Sequence, residues 1–424
     1  MQALKTRMHR IVIGTAAASV VLLAAACSSS GSSSSTSSGS SPTASASPVT
    51  LGEITDLSGA ASFYGIPENH GGEIAADQVN AAGGIKSLGG AKLVIKTYDT
   101  ASNPDNGQTE ATAAVGDKVS AVFGGEISDT VLAGINVTQR AGTAWVDTGG
   151  TADEIHERGY DTVFQVVHDS TQFASEWLSV AQLAAQKLGI SNPTVAIAYS
   201  QTSYGEELYN AWNTADKSAG FKTVTTFGYP LTTTDFSAVA ARLAAANADI
   251  ILNMGYPGDG LALAKLFATQ SKPKAKIILL AGSDAGAVTG QLATQADGSL
   301  MIGDLVPGVK GLPASYTTFY NLYEAKYHSA PDSQSLAGYA AVEFIAAALE
   351  QAKSASPAAV ASALHSITLT QTTGNIYPDP TTLSFASNGS LVQAPFYAAQ
   401  ITGGTAKLVW PASVTEATIT PYSG

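Results

Sequence analysis

The chain has a single cysteine, Cys27, among its 424 residues. No disulfide can form within one molecule, so the folded part must be held together by its core alone. Charged residues are also scarce, at 13% of the chain, against roughly 25% in typical globular proteins. A charged ligand therefore has few possible partners among the side chains, which narrows the search for its site.

Basic residues are fewer than acidic ones, and the formal net charge is −12. Lys5, Arg7 and Arg10 lie close to the N-terminus, so the rest of the chain is still more acidic. It contains no basic stripe of the kind that binds phosphate backbones. We therefore expect no nucleic-acid partner.

Common catalytic motifs are absent from the sequence, which has no G-x-S-x-G elbow, no phosphate-binding P-loop and no H-E-x-x-H. The histidines lack the spacing of metal ligands: His9, His70, His156, His168, His328 and His365. The sequence thus predicts a protein that is not an enzyme and has neither cofactor nor metal site. For His168, at the end of a predicted strand, we favour a structural role over a contact with a ligand cleft.

The N-terminus combines basic residues with a short apolar segment that ends at Cys27. Residues 1–26 are typical of a signal peptide and too short for a comfortable membrane span. Small residues before the cysteine resemble a bacterial lipobox, in which the thiol is acylated, although Ala24 departs from the larger aliphatic residue usual there. A secreted protein with an incidental cysteine is the alternative. Residues 27–48, rich in Ser, Thr, Gly, Ala and Pro, then form a lipidated cysteine and a disordered tether.

Apolar, β-rich stretches alternate with helical patterns along the rest of the chain. The predicted strands are Leu51–Thr55, Lys92–Tyr98, Ala121–Gly124, Thr143–Asp147, Thr162–His168, Thr194–Tyr199, Ile250–Met254 and Lys276–Ala281. The predicted helices between them include Asp105–Lys118, Thr171–Leu188, Gly205–Ala219 and Phe236–Ala246. Such alternation predicts an α/β protein with parallel sheets covered on both faces. The length is too great for one core, so we expect two doubly wound lobes.

The segment from Gly52 to Gly84 is the most informative one. It reads G-E-I-T-D-L-S-G-A-A-S-F-Y-G-I-P-E-N-H-G-G-E-I-A-A-D-Q-V-N-A-A-G-G, and it predicts a loop with an exposed Phe63-Tyr64 pair, then a helix from about Pro67 to Ala82. The segment resembles the opening of the branched-chain amino-acid-binding family of bacterial solute-binding proteins, which serve ABC transporters. The resemblance extends to about residue 400.

The resemblance implies a type I periplasmic binding fold, in which a hinge of three segments joins the lobes. The crossings would lie near Asp169, Pro307 and Tyr397. Residues 49–169 and 308–396 would then form lobe 1, and residues 170–307 and 397–424 would form lobe 2.

Polar loops follow several predicted strands, where ligands of open α/β sheets bind. Ser128, Thr151 and Asp284 each stand where a helix N-cap belongs, and Thr151 with Glu154 fits a capping box. Capping is the interpretation we favour for any one of them alone. The same geometry also suits a carboxylate, because free N–H groups and hydroxyls point outward at a helix N-terminus.

The family resemblance assigns ligand contacts to several of these positions. It implies that Ser128, Gly149 and Thr151 hold the ligand carboxylate and that Asp284 receives the ligand ammonium. Tyrosines that match the family's cleft aromatics are Tyr64, Tyr204 and Tyr256. Aromatic walls with a few converging polar groups suit a small ligand.

Several positions depart from the family's pattern, among them Trp145, Asp147 and Gln334, so the preferred ligand side chain stays open. Glu126 would favour a ligand with a second cationic group if it faced the cleft. We expect it to face solvent, because glutamate is rarely buried without a partner.

These features predict an extracytoplasmic, lipid-anchored and monomeric binding protein that delivers an amino-acid-like solute to an ABC permease. Two alternatives remain: a binder of urea, an amide or an aromatic acid, and a ligand-sensing module without transport. The membrane would be contacted only through the lipid anchor.

Overall fold

The computed structural model describes residues 46–59, 61–280, 285–302, 305 and 308–423. The predicted signal peptide, Cys27, Asp284 and Pro307 lie outside these residues, as does all but the end of the predicted tether. The strands are β1 Val49–Thr55, β2 Leu93–Asp99, β3 Val122–Phe123, β4 Trp145–Asp147, β5 Val163–Gln165, β6 Thr194–Ser200, β7 Lys222–Tyr229, β8 Ile250–Met254, β9 Ile277–Leu280, β10 Ser299–Ile302, β11 Thr368–Thr370, β12 Thr382–Ser384, β13 Ala398–Thr402 and β14 Thr405–Trp410.

The α-helices of the described residues lie between Ser62 and Leu364. They are α1 Ser62–Ala81, α2 Pro104–Gly116, α3 Ser128–Ala141, α4 Glu154–Glu157, α5 Ser170–Lys187, α6 Ser203–Ala215, α7 Ser237–Ala245, α8 Pro257–Thr269, α9 Ala285–Leu292, α10 Ala314–Tyr327, α11 Ser333–Ala352 and α12 Pro357–Leu364. Short 3₁₀ turns occur at Lys86–Leu88 and Ala293–Ala296. Within the described residues, no helix combines the length and apolarity needed to cross a membrane.

Two sheets organise the fold. The first is parallel throughout, with the order β2-β1-β3-β4-β5. The second has the order β14-β13-β10-β9-β8-β6-β7, in which β6 to β10 run parallel and β13 and β14 run antiparallel. Central strands such as β3, β4 and β8 are buried along their whole length, as expected for sheets covered on both faces. The predicted α/β class with parallel sheets is confirmed.

The first sheet is built from one stretch of chain and the second from two. Residues 49–165 form the first sheet, while residues 194–302 and 398–410 form the second. A small antiparallel pair, β11 and β12, lies in sequence between the two stretches of the second sheet. The exact lobe boundaries and the three crossings stay a prediction.

Helix α1 begins earlier than the sequence suggested. Tyr64 and Gly65 both donate backbone hydrogen bonds to the carbonyl of Ala61, which starts the helix before the proline. Pro67 therefore lies inside α1, where it removes only the bond to the carbonyl of Phe63. The predicted exposed pair is thus wrong in two respects, because both residues are helical and Tyr64 is buried.

Helices α1 and α11 pack closely through glycines. A Cβ atom on Gly71 would overlap with the backbone carbonyl of Ser335, and one on Gly338 would overlap with the carbonyl of Glu68. Only a residue without a side chain allows this separation. The crossing fixes α1, which carries Tyr64 and Glu68, against the C-terminal half of the chain.

Gly71→Ala is expected to lower the free energy of unfolding by about 1–2 kcal/mol, because overpacking forces the two backbones apart. Gly116→Ala is the matched control, since a Cβ there meets nothing within 4 Å, and helix propensity should stabilise it by up to ~1 kcal/mol. Urea denaturation of both variants measures the difference. Equal stability of Gly71→Ala and the wild type would contradict the close packing.

Candidate ligand-binding site

A cavity lies where the carboxyl ends of strands from both sheets meet. The empty space within it and at its open mouth is about 990 Å³, solvent included. Its lining consists of residues after β3, β4, β5, β6 and β8 together with α1, α11 and the segment before β13: Tyr64, Glu126, Gly149, Thr151, Val166, Val167, His168, Phe173, Tyr204, Gly255, Tyr256, Ser333, Gln334, Leu336, Ala337, Tyr377, Pro395, Phe396 and Tyr397. No lysine or arginine is among these described residues.

The structure brings together five of the seven residues predicted for the ligand site. Tyr64, Gly149, Thr151, Tyr204 and Tyr256 all line the cavity. Ser128 does not line it, and Asp284 lies outside the described residues.

Aromatic side chains form much of the wall. The ring of Tyr256 lies 5.8 Å from that of Tyr64 and 5.4 Å from that of Tyr204, measured between centroids. Phe173 contacts Phe396 with a centroid distance of 5.6 Å and continues the wall toward β13. The Tyr204 hydroxyl donates to the carbonyl of Gly255 at 3.3 Å. Edge-to-face contacts of this kind hold the rings in defined orientations, which suits a shaped pocket.

Ser128 supports the neighbouring loop. Its Oγ accepts the backbone N–H groups of Thr151 at 3.0 Å and Ala152 at 3.2 Å. The capping interpretation was wrong for both Ser128 and Thr151: the N-caps of α3 and α4 are Ile127 and Asp153, and neither makes a side-chain cap bond. Because β3 and β4 are adjacent, the loops after them lie close enough for one hydroxyl to bind the other loop's backbone.

The Thr151 hydroxyl, unlike that of Ser128, does not support a neighbouring loop. Its Oγ1 is buried and, within the described part of the chain, has no hydrogen-bond partner. Buried polar atoms without partners are uncommon and costly in folded proteins. Because Thr151 lines the cavity, this atom is free to bind a ligand.

Glu126 faces the cavity, which corrects the expectation that it faces solvent. It is only 5% exposed, and its Oε2 accepts a hydrogen bond from Nε2 of Gln334 at 2.7 Å. Its Oε1 receives no donor from the residues that the structure describes. The loop beside it is shaped around this side chain, because a Cβ on Gly149 would overlap with Glu126.

Glu68 of α1 stands behind Glu126 and is completely buried. It accepts hydrogen bonds from the hydroxyls of Thr55 at 2.7 Å and Thr148 at 2.8 Å. Burial raises the pKa of Glu68 to about 7. Burial also raises the pKa of Glu126 well above its usual range, and the charge of Glu68 adds to the effect. Two neighbouring buried carboxyl groups of this kind resist being ionised at the same time.

Asp147 completes the polar base of the site. It is buried and accepts the backbone N–H groups of Gly150 at 2.8 Å and Gly149 at 3.2 Å. Burial raises its pKa well above the usual range. Since the N–H of Gly149 already donates to Asp147, it offers little to a ligand, and the side chain of Thr151 is the free donor of this loop.

Several lining residues were missed or given another role from the sequence. His168 lines the cavity rather than serving only as a strand end; burial lowers its pKa to about 4, so its ring is neutral. Its ring contacts Phe396 at a centroid distance of 5.5 Å. Phe396 and Tyr397 lie at the third predicted crossing between the lobes. That position in the sequence is the feature that could have identified them as cavity residues. No signal marked Phe173 or Tyr377.

Residues of the two sheet systems also contact each other beside the cavity. Oε2 of Glu207 on α6 accepts the N–H of Asp153 at 2.5 Å, and the hydroxyl of Ser203 donates to Asp129 of α3. The Ser170 hydroxyl of α5 donates to the carbonyl of Thr151 at 2.8 Å. The loop that carries Thr151 is therefore bound from both sides. No cluster of potential metal ligands occurs among the residues described.

A family model described as "Periplasmic binding protein" matches residues 48–406. The chain belongs to this family. Leu/Ile/Val-binding protein homolog 8 of Brucella abortus (strain 2308) is 30% identical over 349 residues, which are 77% of this chain and 82% of that relative. The predicted resemblance to the branched-chain amino-acid-binding proteins of ABC transporters is confirmed.

Solved structures of this periplasmic binding protein family share the type I fold. A leucine-binding protein from Thermotoga maritima has a TM-score of 0.72 at 20% identity and covers 88% of this chain and 99% of its own. A solute-binding protein of an ABC transporter from R. palustris in complex with benzoate has a TM-score of 0.74 at 17% identity, with coverage of 88% and 98%. The family is one of solute-binding proteins rather than enzymes.

Proposed function

We propose that this protein captures a small amino-acid-like solute between its two lobes and delivers it to an ABC permease. The observation that carries the proposal is the unpartnered hydroxyl of Thr151 inside an aromatic cavity at the strand ends of both sheets. The names of its relatives, Leu/Ile/Val-binding proteins, support the choice of ligand class.

In this proposal the Thr151 hydroxyl donates a hydrogen bond to the ligand carboxylate, and Ser128 and Gly149 shape the loop that presents it. Asp284 receives the ligand ammonium, as the resemblance implies. Tyr64 on one side and Tyr204 and Tyr256 on the other enclose the ligand as the lobes close. Closure excludes water, which strengthens each polar contact with the ligand.

The cell-surface part of the proposal rests on the N-terminal sequence. Acylated Cys27 anchors the protein to the extracytoplasmic face of the membrane, residues 27–48 act as the tether, and the protein works as a monomer. Mass spectrometry of the protein from its native membrane tests the anchor, since it predicts an N-terminal acylated cysteine at position 27.

A thermal-shift screen of residues 28–424 tests ligand capture directly. The probes are the amino acids, their deaminated acids, urea, short amides and simple aromatic acids. A ligand at a hundred times its dissociation constant stabilises the protein by about 2.7 kcal/mol, which shifts the melting temperature by several degrees. Stabilisation by amino acids supports the proposal, and no stabilisation by any probe overturns it.

An aromatic acid is the second candidate ligand, because aromatic rings dominate the cavity wall and a structural neighbour binds benzoate. The same screen separates the two, since only an amino-acid binder responds more strongly to phenylalanine than to 3-phenylpropanoate. A sensing module without transport would bind the same ligand but would have no permease gene beside it.

Thr151→Val is expected to lower the affinity for the solute found in the screen about tenfold, because one hydrogen bond of ~1.4 kcal/mol is lost. The free protein should keep its melting temperature, because Oγ1 has no partner within the described residues. Isothermal titration calorimetry measures the affinity.

Thr148→Val is the matched control for this prediction. Its hydroxyl donates to Oε1 of Glu68, so its loss should destabilise the free protein by about 1–3 kcal/mol. Thr148 does not line the cavity, and affinity should be retained. A Thr151→Val variant that binds like the wild type would remove Thr151 from the site.

A further inference from the structure

Glu126 is the unusual group in the cavity. It lines the cavity with only 5% of its surface exposed, and its Oε1 receives no donor within the described residues. A buried carboxylate is costly to maintain unless it is paired or hydrogen-bonded. Among the described residues, the one donor to this carboxylate is the amide of Gln334, at Oε2.

The surroundings of Glu126 are acidic. Glu68 from α1 and Asp56 after β1 both face it and raise its pKa, and Gln334 from α11 is neutral. The lining residues that the structure describes include no lysine or arginine. The carboxylate of Glu126 therefore lacks a positively charged partner among these residues, and a ligand can supply one.

We infer that Glu126 is a ligand-contacting residue that sets specificity, and that the solute carries a protonated amine against it at the β3 end of the cavity. This inference rests on the proposed function and deepens it by requiring a cationic nitrogen beside Thr151. An α-ammonium satisfies it, since in an amino acid that group adjoins the carboxylate bound by Thr151. The inference thus gives Glu126 the ammonium contact that the family resemblance assigns to Asp284. A simple carboxylic acid does not satisfy it.

Matched probes separate the charged groups of the ligand. The first set shares a phenyl ring and differs in the amine and the carboxylate: phenylalanine has both, 3-phenylpropanoate lacks the amine, and 2-phenylethylamine lacks the carboxylate. A second set with an aliphatic side chain consists of leucine, 4-methylpentanoate and 3-methylbutylamine. Lysine adds a second amine. We expect calorimetric titration to show binding of the amine-bearing probes and no binding of the deaminated acids.

Glu126→Gln should weaken the amine-bearing probes on the order of a hundredfold, because it removes the charge that a buried ammonium needs. Glutamine retains the shape of the side chain. Glu343→Gln is the matched control: Glu343 is a half-buried acid whose pKa is also raised by desolvation, to about 7, but it does not line the cavity. That variant should bind every probe like the wild type.

Proton exchange provides a measurement that needs no variant. An ammonium that pairs with Glu126 stabilises its ionised form, which burial and the charge of Glu68 oppose in the free protein. Binding should therefore release protons near neutral pH. Titration of wild-type protein in phosphate and in Tris, which differ in ionisation enthalpy, gives the number released.

Three outcomes would overturn the inference. They are deaminated acids that bind as well as the amino acids, a Glu126→Gln variant with unchanged affinity for amines, and uptake of protons on binding. The last would mean that protonated Glu126 donates to a ligand carboxylate. Unchanged affinity of Glu126→Gln for amines and proton uptake on binding each leave the proposed function intact. Equal binding of the deaminated acids also overturns the amino-acid proposal and favours a carboxylic-acid ligand, and no binding of any probe overturns the proposed function and the inference together.

Discussion

Trp145→Ala is expected to lower the free energy of unfolding by about 3–5 kcal/mol, the usual cost of deleting a large buried aromatic side chain. Trp145 is completely buried in β4 and packs in a cluster with Ile54, Val122 and Val131. Its Nε1 donates to the carbonyl of Gly124 at 2.8 Å. The variant therefore leaves a cavity and a buried carbonyl without its donor.

The same substitution should weaken ligand binding, because the bond to Gly124 holds the loop that leads to Glu126. Urea denaturation gives the stability, and calorimetry at a temperature where the variant is folded gives the affinity.

Trp212→Ala is the matched control for the loop effect. Trp212 is also completely buried, but it packs with Phe221 beside the second sheet and does not line the cavity. It should lose a similar amount of stability while keeping its affinity. A Trp145→Ala variant within ~1 kcal/mol of the wild type would contradict the packing described for β4.

The free energy of unfolding of Glu68→Gln is expected to exceed that of the wild type increasingly as pH rises. The difference should reach about 3 kcal/mol once Glu68 is fully ionised in the folded wild type. Burial raises the pKa of Glu68 to about 7, above the ~4.5 of an unfolded glutamate. Between these values the unfolded state loses its proton while the folded state retains one. Wild-type stability from this group is therefore present below pH ~4.5 and is lost as pH rises toward 7.

Urea denaturation of both proteins from pH 4 to 8 measures this difference. Groups that do not interact with Glu68 cancel in the comparison, including His168, whose lowered pKa makes stability rise with pH over part of the range. The pKa values of Glu126, Glu53 and Asp147 should fall in the variant, because the charge of Glu68 helps to raise them. Parallel stability curves for the wild type and Glu68→Gln would show that Glu68 titrates normally.

Glu73→Gln is a control of opposite sign. Although partial burial acts against it, hydrogen bonds from Lys326 and Tyr327 lower the pKa of Glu73. A lowered pKa contributes stability at higher pH, so this variant should become less stable than the wild type as pH rises.

The sequence predicted the buried parallel strands well because they are continuous apolar runs. β8 was predicted at its observed bounds, Ile250–Met254, and the other seven predicted strands overlap observed ones. The edge strand β7 was missed, because it alternates half-buried and exposed residues and is rich in threonine. β13 and β14 were missed as well, since no strand-helix alternation marks an antiparallel addition to a parallel sheet.

Some residues predicted for the site line the cavity, and a local rule accounts for their position. Thr151, Tyr204 and Tyr256 follow strands at their carboxyl ends, and such loops border the ligand cleft in α/β folds. Glu126 was placed wrongly because the statistical rule about buried glutamate considers one residue at a time. Its hydrogen-bond partner Gln334 is 208 residues away in the chain. Pairings over such distances are produced by the fold and leave no pattern in the neighbouring sequence.

The order of segments in the chain has a consequence for biosynthesis. Helix α1 near the start packs against α11 at Ser333–Ala352, and β10 gains its outer neighbour only with β13 at Ala398–Thr402. A nascent chain that ends before these segments exposes an apolar helix face and an unpaired strand edge, both of which promote aggregation. Neither of these contacts is complete until nearly the whole polypeptide has left the ribosome, so we expect truncated chains to aggregate more readily than the full-length protein.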